Sequence, residues 1–401
     1  MTATISETTT RTADPVDWDL VYKTESLLPL LRGNAEEAER LRRLPVANVE
    51  ALTELGVMRM SMPERFGGVQ ANLPTQFEVL RTLARGCGST AWVTALYTVC
   101  GWWASLFPDE VQDEVFTSPE VRVAGIVSPL GTLVPTDGGF VLNGKWAWNT
   151  GVLDSAWDVV ATLRVHEDGS REPYLVIVRT SDMEIQDDWN MSGMKGTGSN
   201  SSVAKDVFVP AERAMAFAPL LGGAHSSEAN RGVLEYSYAV FPFLLSNSFG
   251  TPIGMAQGAF ESFIERAPKR RFSFDNPIPQ ADSPVAQFQV GEIAMKIDAA
   301  VAIARSTVAF LHKSAEDGHE LTTRERAKAR AAVAYTTRLS SEVGTDLARI
   351  GGASAFSLDV PGQRFQRDLT MLGNHAYLNY EANLGLLGEV ELGHEPKTLF
   401  L

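Results

Sequence analysis

The sequence predicts a mainly α protein with a central β domain, because the period of its hydrophobic pattern changes twice along the chain. Helical spacing dominates the first part, alternation of period two follows, and helical spacing then returns. On this basis we divide the 401 residues into a disordered leader (1–18), a helical domain (19–120), a β domain (121–225) and a C-terminal helical bundle (226–401).

The leader and the first helical domain carry no targeting signal. The polar, threonine-rich start lacks a basic segment leading into an apolar one, so no secretory signal is recognised. The longest apolar stretch, residues 91–108, contains Thr, Ser, Gly and Tyr and is followed by Asp109 and Glu110. It reaches only the lower limit for a membrane span and lacks flanking basic residues, which favours a buried helix in a soluble, cytoplasmic protein.

The β domain is predicted from short segments rich in β-branched and aromatic residues. The dipeptides Asp137-Gly138, Asn143-Gly144 and Asp168-Gly169 are typical of tight hairpins. We therefore expect antiparallel strands that form a small barrel or a sandwich. The expected strands span residues 121–126, 140–148, 157–165, 174–179 and 202–209.

The C-terminal part is predicted to be a bundle of long antiparallel helices. Apolar residues follow a helical stripe over residues 290–311. Thr322 and Glu325 have the spacing of a capping box before a helix that ends at Gly351-Gly352. A last helix is expected over residues 364–388.

Composition excludes several classes of function. The chain has 35 Lys+Arg against 49 Asp+Glu, a net charge of −14, so it offers no basic face for nucleic acid. Its two cysteines, Cys87 and Cys100, form neither a disulfide framework nor a zinc motif, and no other metal site is recognised. No G-x-G-x-x-G fingerprint occurs, so we expect no nicotinamide-binding domain in this chain.

Five ordered strings carry a resemblance to a known family. Together they span most of the chain, and M-x-G-M-K-G-T-G-S and D-V-F-V-P are the most specific patterns among them. The chain resembles the acyl-CoA dehydrogenase superfamily. The strings are LARGCGSTAW (83–92), NGKWAWNTG (143–151), MSGMKGTGSNSSVAKDVFVP (191–210), RIGGASAF (349–356) and QRFQRDL (363–369).

The resemblance implies a fold, an assembly and a cofactor. Members of the family combine an N-terminal helical domain, a middle β-barrel and a C-terminal four-helix bundle, and they usually assemble as homotetramers. Flavin binds between the barrel and the bundle. An isoalloxazine ring needs apolar walls and a few polar partners.

The resemblance also implies which residues hold the flavin. It places Trp148, Asn149, Thr150 and Gly151 against the ring, although a tryptophan in a barrel core and a threonine in a turn would explain the same letters. It also implies that four further residues hold the ADP-ribose part of the flavin. The alternatives there are a solvated run of charges and a plain helix cap. These four are Arg271, Phe274, Gly351 and Gly352.

The expected base of an acyl-CoA dehydrogenase is missing. In the commonest branch a glutamate follows the late Arg-Asp pair by eight residues, and here that position is Ala376. Glu381 lies five residues later, about one and a half helical turns, and would face elsewhere. Some branches keep their base at another position, so a dehydrogenase remains an alternative, as does a non-catalytic flavin- or partner-binding member.

His375 instead resembles the histidine of the two-component flavin monooxygenases within the family. These enzymes bind reduced FAD or FMN supplied by a separate reductase, react it with O₂ to a C4a-hydroperoxide, and transfer one oxygen atom to a small molecule. A histidine with a pKa near neutrality could deprotonate the substrate or protonate the departing oxygen. A satisfied core histidine is the alternative.

The sequence gives less information about the substrate. Aromatic-ring oxygenases of this branch often carry a histidine where this chain has Cys100, which argues against a simple phenol. We expect Cys100, Trp102 and Trp103 to line the substrate pocket, and a dry pocket with Trp148 would favour a neutral amine. Strings at 107–116 and at the C-terminus also resemble amino-sugar N-oxygenases (nitrososynthases). N-oxidation of a nucleotide-linked amino sugar in antibiotic or other specialised-metabolite biosynthesis is therefore the first hypothesis, and hydroxylation of a phenolic or indolic substrate is the second.

Overall fold

The computed structural model describes residues 14–271, 278–398 and 400–401. The predicted leader falls mostly on residues 1–13, which lie outside this part, and the first helix begins at Trp18. The N-terminal helices are α1 (Trp18–Glu25), α2 (Leu28–Gly33), α3 (Ala35–Leu41), α4 (Val46–Leu55), α5 (Leu73–Ala84), α6 (Gly88–Ala104) and α7 (Asp109–Val115).

Helix α6 is the central element of this domain. All but one of its 17 residues are buried, and it contacts α5, the first strand and the C-terminal helix over Gly250–Arg266. A helix that is apolar on every side belongs inside a protein. Among the described residues no helix is both long and apolar enough to cross a bilayer.

The middle domain is one mixed sheet of eight strands. Its order is β6-β7-β3-β2-β4-β5-β8, with β1 paired in parallel to β4. The strands are β1 (Val123–Ile126), β2 (Thr132–Thr136), β3 (Gly139–Trp146), β4 (Trp157–Val165), β5 (Arg171–Arg179), β6 (Glu184–Gln186), β7 (Ser201–Pro210) and β8 (Ala214–Ala216).

The expected β-barrel is therefore imprecise. Within the described chain the edge strands β6 and β8 do not pair, so the sheet stays open. Alternate residues of β4 and β5 nevertheless enter two different cores: Val159 packs with the helices, whereas Val160 packs with Trp146 inside the curved sheet. This alternation is the period of two that identified the strands in the sequence.

Two of the three predicted hairpin dipeptides are confirmed. Asp137-Gly138 joins β2 to β3, and Asp168-Gly169 joins β4 to β5. The prediction was wrong for Asn143-Gly144, which lies inside β3 at a register shift against β7. Gly144 is needed there because a Cβ would lie 2.8 Å from the Gly131 backbone and from the Trp146 ring.

The C-terminal part consists of long helices, as expected. Thr322 and Glu325 form the predicted capping box in both directions. The helices are α8 (Phe217–Leu221), α9 (Val240–Ser246), α10 (Gly250–Arg266), α11 (Pro284–Glu316), α12 (Thr323–Gly351), α13 (Pro361–Leu372) and α14 (Tyr380–Glu391).

The single last helix predicted over residues 364–388 is instead two helices, α13 and α14. The break contains His375, whose side chain accepts a hydrogen bond from the Tyr377 amide, and Asn379, whose side chain caps α14. Such side-chain bonds to the local backbone compete with helix continuation. The break turns residues 374–377 toward the middle domain, where they line a cavity.

Three of the five family strings meet beside this break. Asp368 Oδ1 accepts a 2.5 Å hydrogen bond from the Met194 amide. A Cβ on Gly193 would lie 2.4 Å from the Arg367 carbonyl oxygen, and one on Gly88 would lie 3.5 Å from Asp368 Oδ2. Gly193 therefore allows its backbone to approach the backbone of Arg367 closely, although the two residues are far apart in sequence.

Candidate functional site

A cavity of about 910 Å³ lies between α6, the sheet and the C-terminal helices. Helix α6 contributes Trp92, Leu96, Val99 and Cys100 to its wall. The sheet domain contributes Gly125 to Ser128 and the segment that follows β3, and the C-terminal helices contribute the rest. The volume and the mainly apolar lining suit a flat aromatic ligand.

His375, the predicted catalytic residue, lines the cavity wall. Its ring packs edge-on against Trp92 with centroids 5.4 Å apart. Desolvation lowers the pKa of His375 to about 4, so the ring is neutral at physiological pH. The Nδ1 atom accepts from the Tyr377 amide at 3.3 Å, so the proton of the neutral ring is on Nε2. His375 therefore presents a donor rather than a free lone pair.

Tyr377 and Ser128 complete this end of the site. The Tyr377 hydroxyl lies 3.5 Å from Ser128 Oγ, and both residues line the cavity. Behind Tyr377 the ring of Phe400 packs with centroids 6.0 Å apart. These three residues were not predicted to belong to a site, because none of them stands in a recognised motif.

The four residues predicted against the flavin ring have different positions. Trp148 and Thr150 line the cavity, and the Trp148 side chain is 56% exposed. Asn149 is fully buried and instead donates to Asp158 Oδ2 and Ser202 Oγ. Gly151 has a φ of +73°, and its carbonyl accepts from the buried Tyr97 hydroxyl. Asn149 and Gly151 thus shape the segment that carries the other two.

Asn149 contacts a carboxyl group with an unusual pKa, that of Asp158. Asp158 is fully buried in β4, and desolvation raises its pKa to about 6. Hydrogen bonds from Asn149 and Ser202 oppose that shift. The hydrogen bond between Asn149 and Asp158 joins the segment after β3 to β4.

A row of three hydroxyl groups ends at the cavity. Thr197 Oγ1 donates to the Met194 carbonyl at 2.9 Å, because a carbonyl oxygen can only accept. Ser199 Oγ, 2.8 Å away, then donates to Thr197, and Thr150 Oγ1, 2.9 Å from Ser199, donates to Ser199. Thr150 is left with lone pairs that can accept from a ligand. The Gly-rich string at 191–199 was the only sequence signal for Ser199.

The residues therefore fit the isoalloxazine part of a flavin. The cavity offers the aromatic faces of Trp148 and Trp189, which pack edge-on with centroids 5.4 Å apart. It also offers Thr150 as a polar partner for a ring edge.

The prediction for Trp102 and Trp103 was wrong. Both are 1% exposed and are not among the cavity-lining residues; Trp102 packs at a tilt against Phe243, and Trp103 packs edge-on against Phe217. Cys100 is the one of the three that lines the cavity, and burial raises the pKa of its thiol. Sequence could not separate the faces of α6, because nearly every residue on it is apolar.

The residues implied for the nucleotide end lie elsewhere. Gly351 and Gly352 end α12, and the Arg270 guanidinium donates to the Ile350 carbonyl beside them at 3.1 Å. Arg271 follows at the surface, and Phe274 lies outside the described residues. None of the described members of this group lines the cavity.

The described residues contain no cluster of three His, Cys, Asp or Glu side chains that could hold a metal ion. Cys87 and Cys100 are free thiols, and both are buried.

Comparison with known proteins identifies the family. Residues 249–380 match the acyl-CoA dehydrogenase C-terminal domain, and residues 29–118 match the acyl-CoA dehydrogenase N-terminal domain. The chain is 32% identical over 375 residues to the flavin-dependent monooxygenase, oxygenase subunit HsaA, of Mycobacterium tuberculosis, covering 93% of this chain and 95% of that protein.

Two further relatives agree with this assignment. The oxygenase component of p-hydroxyphenylacetate 3-hydroxylase from Acinetobacter baumannii is 28% identical, covering 96% of this chain and 92% of that protein. The structure of XiaF from Streptomyces sp. in complex with FADH2 and glycerol superposes with a TM-score of 0.90 at 28% identity, covering 96% of this chain and 97% of that one. The chain therefore belongs to the acyl-CoA dehydrogenase superfamily and, within it, to the flavin-dependent monooxygenases.

Proposed function

We propose that this protein is the oxygenase component of a two-component system that hydroxylates an aromatic small molecule. It would use reduced FAD or FMN, delivered by a separate reductase, and O₂. The observation that carries the proposal is the cavity itself, whose described lining is mainly aliphatic and aromatic and includes one histidine, His375. One named relative acts on p-hydroxyphenylacetate, an aromatic compound.

The cavity gives less support to the amino-sugar hypothesis. Arg367 is the only permanently charged side chain among the described lining residues. Its guanidinium is already bonded to Glu39 at 2.8 Å and to the Ser192 carbonyl at 2.6 Å. The phosphates of a nucleotide-linked sugar would find no free cation there, and an ammonium group would find no carboxylate. Aromatic hydroxylation therefore takes the place of N-oxidation as the first hypothesis.

The lining also argues against the dehydrogenase alternative. Ala376 lines the cavity where the commonest branch places its glutamate, and no described Asp or Glu lines the cavity. Removal of an α-proton requires a base, and the accessible nitrogen of neutral His375 carries a proton.

When bound, reduced flavin supplies the electrons that activate O₂ for transfer of one oxygen atom. The protein's part is to bind, orient and donate. His375 holds its ring proton at Nε2, from which it can donate a hydrogen bond to an oxygen atom of the substrate or to the oxygen that departs. Trp148 and Trp92 supply aromatic surface against which flat rings can pack.

A substrate panel tests the proposal. The chain would be supplied with a flavin reductase, NADH, FAD or FMN and air, and products from phenols, indoles and nucleotide-linked amino sugars would be identified by mass spectrometry. We expect a hydroxyl group on an aromatic carbon. Oxidation of the sugar nitrogen with all aromatic compounds unchanged would reject aromatic hydroxylation.

Thr150 is expected to bind the reduced flavin through its free lone pairs. Reduced isoalloxazine carries a ring N–H that the oxidised ring lacks, so an acceptor favours the reduced form. Thr150→Val should weaken anaerobic binding of reduced flavin by about tenfold and binding of oxidised flavin by less. Thr150→Ser keeps the hydroxyl and is the matched control. Equal affinities of the Val and Ser variants would remove Thr150 from the flavin site.

The nucleotide end and the assembly remain part of the proposal. Arg271, Phe274, Gly351 and Gly352 would hold the ADP part of FAD, as the family resemblance implies. Three exposed apolar side chains on α11 support a homotetramer through burial of that face. They are Val285 (60% exposed), Phe288 (74%) and Met295 (65%). Light scattering should give close to four times the 43.6 kDa of one chain; a monomer would reject this.

A further inference from the structure

Asn247 carries a buried oxygen atom without a partner. The residue lies between α9 and α10, is 1% exposed and lines the cavity. Its Nδ2 donates to the Phe243 carbonyl at 3.1 Å. Its Oδ1 has no hydrogen-bond partner among the described residues.

The orientation of this amide is determined by its neighbour. The Phe243 carbonyl can only accept, so the amide nitrogen must face it and the oxygen must face away. A buried carbonyl oxygen without a donor is unfavourable, and such groups in native proteins normally have a partner. Because Asn247 lines the cavity, its missing partner is expected among the molecules that enter the cavity.

The surroundings restrict that partner to a neutral group. Leu244 and Leu245 line the cavity beside Asn247. Arg367, the only charged side chain among the described lining residues, is neutralised by Glu39. A carboxylate on the ligand would be repelled by the lone pairs of Asn247 Oδ1. An O–H or N–H group would satisfy this atom.

We propose that Asn247 Oδ1 accepts a hydrogen bond from a neutral O–H or N–H group of the aromatic substrate. This rests on the proposed function and narrows it: the substrate is an uncharged aromatic compound with at least one hydrogen-bond donor. Asn247 is then a specificity-determining residue on the helical wall. The flavin contacts Trp148 and Thr150 lie on the sheet side.

The selectivity should be large enough to measure. A site with a buried acceptor discriminates against a ligand that has no hydrogen-bond donor, because such a ligand leaves the acceptor without a partner in the complex. The contact is absent in a variant without the amide, so the variant should lose selectivity rather than general affinity for aromatic compounds.

The experiment compares 2-naphthol with naphthalene and with 6-hydroxy-2-naphthoate. Dissociation constants are measured anaerobically by calorimetry on the full chain loaded with reduced FAD. The wild type should bind 2-naphthol at least about tenfold more tightly than either of the other two. Asn247→Leu should reduce the preference over naphthalene to less than about threefold. The control Ser246→Ala, at a neighbouring buried residue that is not among the cavity-lining residues, should keep it.

Several results would overturn the inference. These are no preference in the wild type, the same preference in Asn247→Leu, tighter binding of the naphthoate, and a loss of flavin affinity in Asn247→Leu with unchanged selectivity. If Asn247→Leu does not fold, Asn247→Ser, whose shorter side chain cannot place an oxygen at the same point, takes its place.

Turnover of 2-naphthol with reductase and air separates the two hypotheses. If the wild type and Asn247→Leu hydroxylate 2-naphthol and show the same preference for it over naphthalene, only the role of Asn247 is rejected. An Asn247-dependent preference in binding without hydroxylation of any aromatic compound rejects only the proposed function.

Discussion

His375→Ala is expected to lower turnover by about 10²- to 10⁴-fold while affinity for reduced flavin stays nearly unchanged. The reason is the proton that His375 holds at Nε2 beside the cavity, with Nδ1 occupied by the Tyr377 amide. Turnover is measured as product formed under saturating reduced flavin, with O₂ consumption recorded in parallel. Without the donor we expect O₂ consumption to continue and product formation to fall.

One variant separates a hydrogen-bond donor from a packing residue. His375→Gln keeps an N–H group and should restore part of the activity that His375→Ala loses. If His375→Ala lost stability and flavin binding to the same extent as activity, the residue would be part of the core. Full activity in His375→Ala would remove it from the mechanism.

The protonation state of His375 gives this donor a pH dependence with a definite sign. Its pKa in the folded protein is about 4, below the value of about 6.5 for a free histidine. The neutral form therefore persists throughout the neutral range, and His375 should add no change in activity between about pH 6 and pH 8. An activity that changes with pH around a pKa near 6.5, and that loses this change in His375→Gln, would contradict a neutral His375.

The sequence predicted the general organisation because it depends on local periodicity. The change from helical to alternating spacing located the three parts. The family resemblance singled out His375, Cys100 and Thr150, which all line the cavity. Closure of the sheet could not be predicted, because it depends on pairing between strands far apart in the chain. The break near His375 depends on side-chain bonds that compete with a helix that the residue pattern also allows.

The wrong positions of Trp102 and Trp103 have a different cause. On a helix that is apolar all round, the period does not show which side faces a cavity and which faces the core. Asn247 was missed for the opposite reason: a single asparagine between two apolar helices carries no pattern. Its unpartnered oxygen becomes visible only when the hydrogen bonds around it are known.

Asp368→Ala is expected to destabilise the fold by about 1–3 kcal/mol more than Asp368→Asn does. Asp368 is 2% exposed and accepts from the Met194 amide at 2.5 Å. Met194 has a φ of +49°, which residues other than glycine adopt rarely. The hydrogen bond from its amide to Asp368 therefore stabilises an unfavourable backbone conformation. Asparagine keeps an acceptor oxygen, and alanine leaves the amide buried without one. Urea unfolding of the three proteins measures the difference; equal stability of the Ala and Asn variants would contradict it.

The same carboxyl group makes stability depend on pH. Desolvation raises the pKa of Asp368 to about 7, against about 3.9 in an unfolded chain. The folded protein therefore holds a proton that the unfolded chain loses between about pH 4 and pH 7, so the contribution of Asp368 to the free energy of unfolding falls as pH rises through that window. His375 acts in the opposite direction between about pH 4 and 6.5, because there the unfolded chain binds the extra proton.

Comparison of the wild type with Asp368→Asn isolates the carboxyl group, because His375 is the same in both. At about pH 5 the protonated acid and the amide should give similar stabilities, and at about pH 8 the amide variant should be the more stable of the two. A stability difference that is the same at both pH values would show that Asp368 titrates normally. Because Met194 belongs to the loop that lines the cavity and Asp368 to the helix that leads to His375, the Ala variant should also show lower flavin affinity. Asp368→Asn should keep the affinity of the wild type, since it retains the bond that joins these two segments.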